Sequence, residues 1–400
     1  MPDNNAWPVA KRTEEITYAV RDIILVADKA KAAGKDMIYL NIGDPNIYDF
    51  DTPPELIDAA CEAMRNDKNG YAPSPGIPSA LDAIRADAHR KGFKNVRDVF
   101  TSYGASEAIE TCLAALADPG DNIIIPSPGY PLYSALNSKL NLQSKFYPLN
   151  EEDGWQPDVE YIAKSIDERT KAIVLINPNN PTGAMYGREV LLEIIELARK
   201  HRLVIFSDEI YDRLTFDGNE HIPTASLADD VPIVTFNGLS KCYLSPGWRI
   251  GWAVISGPQH IQSYIDAMQK MVRARLCINH PLQYAIPVAL EGEHKHLPPA
   301  IAKLQKRRDV VCDRLNNITG ISCVKPKGTF YVFPKIEIDV ADDKFIKDLV
   351  LETGVVLVPG SGFGDLASAG HFRLVFLPQP EILEKACSNI ENFMQKYLKT

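Results

Sequence analysis

Between Asp98 and Ser256 the chain alternates apolar runs of strand length with stretches of helical periodicity, and no other feature limits its fold so strongly. The strand candidates are DVFTS, NIIIP, AIVLIN, LVIFSD, IVTFN and IGWAVIS. Several are apolar throughout, as befits strands covered by helices on both faces. The expected architecture is therefore α/β with a mainly parallel sheet. In such a sheet ligands sit beyond the carboxyl ends of the strands, where loops and helix N-termini converge.

Those ends carry an unusual set of groups. DVFTS runs into Tyr103-Gly104-Ala105-Ser106, NIIIP into Ser127-Pro128-Gly129-Tyr130-Pro131, and AIVLIN into Pro178-Asn179-Asn180-Pro181-Thr182-Gly183. LVIFS ends in Asp208-Glu209-Ile210-Tyr211, and IVTFN in Gly238-Leu239-Ser240-Lys241. Taken singly, each has a bland explanation: a lysine after a strand is usually a solvated surface residue, and an aspartate there a turn or cap. Their joint occurrence on one rim points to a ligand site.

Outside this region, apolar residues at helical spacing predict an amphipathic helix from Arg12 to about Ala33, with Gly34 as its stop. A short strand, MIYLNI, leads to Gly43-Asp44-Pro45. From about Gly292 the texture changes to a charged helix (KLQKRRDVVCDRL), then GTFYVFPKI, a helix, VVLVPG, HFRLVFL and a terminal helix, which predicts a smaller α+β domain. The expected division is an N-terminal arm over residues 1–45, a large domain over 46–291 and a small domain over 292–400.

At NPNNPTG, SDEIY and SKCYLSPGWRIGW the chain resembles the class I aminotransferases of the type I pyridoxal-phosphate fold, and the resemblance runs nearly end to end. It implies a large domain built on a mainly parallel seven-stranded sheet, and pyridoxal 5'-phosphate as cofactor. By the same resemblance, Lys241 would bind the cofactor covalently and shuttle the substrate's Cα proton, and Asp208 would pair with the pyridine nitrogen. Asn180 and Tyr211 would bond the ring hydroxyl oxygen, and Tyr130 would stack on the ring. The phosphate would lie against the N–H groups of Gly104, Ala105 and Ser106, helped by Arg249 and Ser240. Many relatives have another hydroxyl three residues before the lysine, where this chain has Gly238. Tyr71 matches a tyrosine donated across a homodimer interface to the partner's phosphate. Arg373, in HFRLVF, would clamp the substrate carboxylate opposite Gly43, and Tyr18 would belong to a lid over the substrate.

The phrases LNIGDPN, INPNNPTGA, DEIYDRLTF, FNGLSKCYLSPGWR and RLCINHPLQ look most like prokaryotic alanine aminotransferases, archaeal ones especially. L-Alanine plus 2-oxoglutarate giving pyruvate plus L-glutamate is the implied reaction. The rivals are an aspartate, branched-chain or aromatic aminotransferase, a lyase or decarboxylase on the same scaffold, and a cofactor-binding regulator.

Other signals carry less. Gly360-Ser361-Gly362-Phe363-Gly364 lacks the G-x-G-x-x-G spacing of a nucleotide loop. His294 and His296 have no paired cysteines or carboxylates in register, so no metal is expected. Arg273, Arg275 and His280 fit either an interface or the core, or one arginine could reach a partner's site. The formal charge of -9 repels a polyanion, which argues against nucleic-acid binding. Seven cysteines without a C-x-x-C pair read as reduced thiols, and no apolar window approaches the roughly 20 residues of a membrane span; a cytoplasmic protein is expected.

Overall fold

The computed structural model describes Trp7, residues 9–14, Ile16 and residues 19–399, with side chains of the first α-helix described from Ile23 onward. Its centre is one large sheet. Across it lie, in order, Val96–Tyr103, Ile250–Ser256, Ile233–Gly238, Val204–Asp208, Thr170–Ile176, Asn122–Ser127, Gln143–Asn150 and Gln156–Pro157. Ile250–Ser256 runs antiparallel to both neighbours and Gln156–Pro157 antiparallel to Gln143–Asn150, while the remaining pairs are parallel. The sheet has eight strands rather than the seven expected, because the two-residue Gln156–Pro157 extends its edge. Gln143–Asn150 escaped the strand pattern because, next to that edge, its burial is mixed and QSKFYPLN has no continuous apolar run.

Asn122–Ser127 and Ile250–Ser256 are buried at every position, which is why their sequences are mainly apolar, with polar residues only at their ends. The covering helices show the complementary stripe: Arg188–His201 buries Leu191, Ile194, Ile195 and Ala198, the spacing of one helical face. The sheet order reverses between Asn122–Ser127 and Thr170–Ile176, since the chain moves outward from the first and returns beside it through the second. A crevice forms at such a point.

Gly238 and Gly251 are register partners on adjacent strands. A Cβ at Gly251 would strike the backbone of Gly104 and Ala105, and one at Gly238 would lie 2.6 Å from the Ile250 carbonyl oxygen. These glycines let the start of the helix Gly104–Leu116 settle onto the sheet beside the strand that leads to Lys241. Position 238 has no room for a side chain, which explains the missing hydroxyl there.

The first α-helix is Ala19–Ala32, shorter than the expected span from Arg12. Lys11–Thr13 instead forms a 3-10 turn in which the N–H and hydroxyl of Thr13 both return to the Ala10 carbonyl, at 3.0 and 2.7 Å, a closure that competes with α-helical pairing. Gly34, at φ +84°, follows the helix end. Ile38–Tyr39 then pairs in parallel with Val355–Val356, stitching the N-terminal segment to the C-terminal part of the chain. In that part, Tyr331–Val332 and Val358–Pro359 flank Phe372–Val375 in an antiparallel sheet, accompanied by the helices Leu297–Asn316, Asp342–Thr353 and Pro380–Tyr397. Among the described residues no helix is long and apolar enough to cross a membrane.

Candidate active site

A cavity of about 440 Å³ opens at the carboxyl ends of the central strands. Ala105 and Ser106 reach it from the start of their helix, Tyr130 from the loop after Asn122–Ser127, and Asn180 from the loop after Thr170–Ile176. Asp208 ends its strand and Tyr211 follows it, while Ser240, Lys241 and Arg249 occupy the connection between Ile233–Gly238 and Ile250–Ser256. Gly43 and Arg373 close the opposite wall, from the N-terminal segment and the C-terminal sheet.

Two of the expected site residues do not line this cavity, and a third is not described. Gly104 lies just behind the wall: at φ +73° and without a side chain, it leaves room for the Arg249 guanidinium. Tyr71 is 83% exposed and does not line this chain's own cavity. Tyr18 falls outside the described residues.

The half-buried Lys241 amine donates to the Gly43 carbonyl at 2.8 Å and lies 5.4 Å from the Phe330 ring centre. Asp208 is buried, and that burial pushes its carboxyl up from 3.8 to about 6. Hydrogen bonds from the Ile210 N–H (3.4 Å) and the Tyr133 hydroxyl (3.3 Å), with the Lys241 charge, oppose this rise, while neighbouring Glu209 adds to it. A cation bound beside this group would favour its ionised form. Burial also holds the Tyr211 phenol well above its ordinary range, so at neutral pH it is a protonated donor.

Arg373 is 2% exposed. Its Nη1 donates to Asn180 Oδ1 at 3.1 Å and its Nη2 to the Asn41 carbonyl at 2.6 Å. The Tyr331 and Phe363 rings lie 4.5 and 4.9 Å from the guanidinium carbon. Nε has no partner, and among the described residues no carboxylate pairs with this cation. A buried charge without a counter-ion costs several kcal/mol, and an anion entering the cavity would offset that cost. Because Asn180 accepts through Oδ1, its Nδ2 remains as the donor of that side chain.

Tyr133, Phe330 and Tyr331 were not singled out from the sequence, yet Tyr133 bonds Asp208, Phe330 packs edge-on against Tyr211 at 5.4 Å, and Tyr331 lines the cavity. For Tyr331 the signal is the pairing of Tyr331–Val332 with Phe372–Val375, which places it diagonally from Arg373 on one sheet face. Of the open cases, Arg275 binds Glu107 at 3.0 Å and the Ser74 carbonyl at 2.8 Å, a bracing role within the chain, while Arg273 is exposed. His280 Nδ1 lies 2.9 Å from the Gly70 carbonyl. His296 Nε2 meets the Cys242 carbonyl at 2.9 Å, and among the described residues no cluster suited to a metal ion occurs. Gly360–Phe363 is a 3-10 turn that delivers the Phe363 ring to Arg373.

Comparison with known proteins places this geometry. Residues 35–390 match the family described as aminotransferase class I and II. The chain is 38% identical to the glutamate-pyruvate aminotransferase AlaA of Escherichia coli, over 98% of its own length and 99% of that protein's. It is 39% identical to an alanine aminotransferase of Mycobacterium tuberculosis, over 98% and 94% of the two lengths. Among solved structures, an alanine aminotransferase from Pyrococcus furiosus superposes with a TM-score of 0.94 at 42% identity, covering 97% of this chain and all of that one. With an amine, a buried acid and a buried carboxylate-ready arginine around one cavity, and a match across most of its length, the chain belongs to the class I and II aminotransferase family.

Proposed function

We propose that the protein is a cytoplasmic alanine aminotransferase that uses pyridoxal 5'-phosphate to interconvert L-alanine plus 2-oxoglutarate with pyruvate plus L-glutamate, in two half-reactions at one site. The observation that carries this reading is the Lys241 amine and the ion-pair-free Arg373 guanidinium facing one cavity. Every amino acid and oxo acid brings a carboxylate for the second, and the cofactor brings an aldehyde for the first.

The residues fit that cofactor. An acid whose charge is disfavoured by burial suits the protonated pyridine nitrogen, and the donors Tyr211 and Asn180 suit the ring oxygen. The start of the helix Gly104–Leu116, with Arg249 and Ser240, suits the phosphate, and Tyr130 the ring face. When bound, the ring supplies an electron sink for the charge left at the substrate's Cα.

The chain's own residues do the rest. Lys241 would hold the aldehyde carbon and, once the substrate's amine takes its place there, its freed Nζ would be the base that moves the Cα proton. Arg373 orients the substrate through its carboxylate so that the Cα–H faces Lys241. The names of the relatives in E. coli, M. tuberculosis and P. furiosus support alanine as donor. We read residues 1–45 as an arm, 46–291 as the cofactor domain and 292–400 as the small domain. The exposed Tyr71 fits a homodimer in which it serves the partner's phosphate, and the seven free cysteines fit a reducing compartment.

Mixing cofactor-loaded protein separately with alanine, aspartate, glutamate, leucine and phenylalanine, while following the cofactor absorbance, tests this reading. Rapid conversion by alanine and glutamate is expected. Conversion by leucine but not alanine would reject the donor assignment, and no conversion by any would favour a regulator.

A further inference from the structure

Tyr331 also lines the cavity, between the groups assigned to the cofactor and to the substrate. Its hydroxyl accepts a hydrogen bond from that of Tyr211 at 3.1 Å, and its ring lies 4.5 Å from the Arg373 guanidinium. Gly43 closes on it from another side, since a Cβ there would overlap the Tyr331 hydroxyl. One side chain, 3% exposed, thus touches a group assigned to the cofactor and a group assigned to the substrate.

We propose that Tyr331 is a positioning residue that turns the Tyr211 hydroxyl toward the cofactor's ring oxygen and holds the Arg373 guanidinium in register with it. This rests on the cofactor reading given above.

The proton count supports the first half. A phenol has one proton to donate. An ionised ring oxygen could only accept, so the Tyr211 hydroxyl would direct its one hydrogen bond to it. Tyr331 would then reverse and donate a hydrogen bond to Tyr211, whose oxygen has a lone pair available. That second bond polarises the first and strengthens the hold on the anion. Besides Tyr331, the charged and titratable groups facing Tyr211 are Tyr130, Arg373 and Lys241, with Asp208 at the end of the adjoining strand. All of them remain when only the Tyr331 hydroxyl is removed. The second half follows from strand register: Tyr331 and Arg373 are diagonal neighbours on one sheet face, where a ring steadies a guanidinium through its π face.

The test is Tyr331→Phe, which keeps the ring and removes the hydroxyl. Wild type and variant are loaded with pyridoxal phosphate, and the pH dependence of the Lys241-linked absorbance band is recorded. With the anion held less firmly, the shared proton stays on to higher pH. The midpoint should rise by about half a pH unit, the size of one net hydrogen bond. Tyr211→Phe should shift it further in the same direction, and the double variant should go no further than Tyr211→Phe alone. Tyr331→Leu, which removes the ring, should raise KM for both alanine and 2-oxoglutarate by about fivefold, with Tyr331→Phe staying within about twofold of wild type. A Tyr331→Phe titration that superimposes on wild type, or a shift that adds to that of Tyr211→Phe, overturns the proposal while leaving the cofactor reading intact. A wild-type protein with no band that Lys241→Ala abolishes would sink both.

Discussion

Arg373 Nη1 donates to Asn180 Oδ1 across 3.1 Å, tying the C-terminal strand Phe372–Val375 to the loop that leaves the central strand Thr170–Ile176. The guanidinium is thereby fixed from both parts of the chain, with its charge left for a ligand. Arg373→Ala should raise KM for every amino acid and oxo acid alike, by roughly a hundredfold, as expected when a desolvated charge pair loses one member. Steady-state kinetics with several donors checks this, and a selective effect would mean that Arg373 reads side chains.

Gly43 offers a narrower probe. A Cβ there would overlap the Tyr331 hydroxyl and lie 2.7 Å from the Phe330 ring, while the Gly43 carbonyl anchors Lys241. Gly43→Ala should reduce kcat/KM for alanine by about tenfold or more, in line with an overpacking cost of about 1–3 kcal/mol, with the fold preserved by circular dichroism. Unchanged kinetics would show that this wall yields freely.

Asp208 makes a pH prediction. Burial raises its carboxyl from 3.8 to about 6, so the folded chain binds that proton more tightly than the unfolded one. Its stabilising contribution is therefore complete below 3.8 and is lost as pH rises through about 6. Cofactor-free wild type should lose stability on the order of 3 kcal/mol over that window relative to Asp208→Asn. Urea unfolding at a series of pH values reads the difference. Parallel curves would mean that Asp208 does not titrate there.

Behind the Lys241 connection, Lys91 bridges Asp87 and Asp212, each at 2.7 Å, and Asp212 accepts from the Cys242 thiol at 3.4 Å. Burial opposes ionisation of Asp212, yet Lys91 and Arg213 hold it down to about 2. Lys91→Met would leave two buried carboxylates sharing Arg213, which also pairs with Asp87 at 2.9 Å. Denaturant unfolding at neutral pH should show a loss of about 3 kcal/mol, partly recovered in Lys91→Met/Asp212→Asn. No loss would mean that water screens the bridge.

How legible each part was follows from how local its cause is. Asp208, Tyr211, Ser240 and Lys241 directly follow apolar runs, so the rule about strand ends places them on one rim from sequence alone. Arg373 and Gly43 lie far along the chain from that rim, and only the family resemblance brought them to it. Tyr331 stayed hidden because its role depends on which strand pairs with Phe372–Val375, a long-range choice that no local pattern encodes. Gln143–Asn150 was missed for a related reason, since its place beside the sheet edge relaxes the demand for apolar residues. Gly238 stands where many relatives carry a hydroxyl, and the closeness of the Ile250 carbonyl shows that position to be a packing requirement.

The most direct test is borohydride reduction of the pyridoxal-phosphate-loaded protein, followed by peptide mass mapping. The cofactor should be found fixed to Lys241 and nowhere else, and prior incubation with alanine should remove the label. A label on another lysine, or one that alanine leaves untouched, would contradict the role assigned to Lys241.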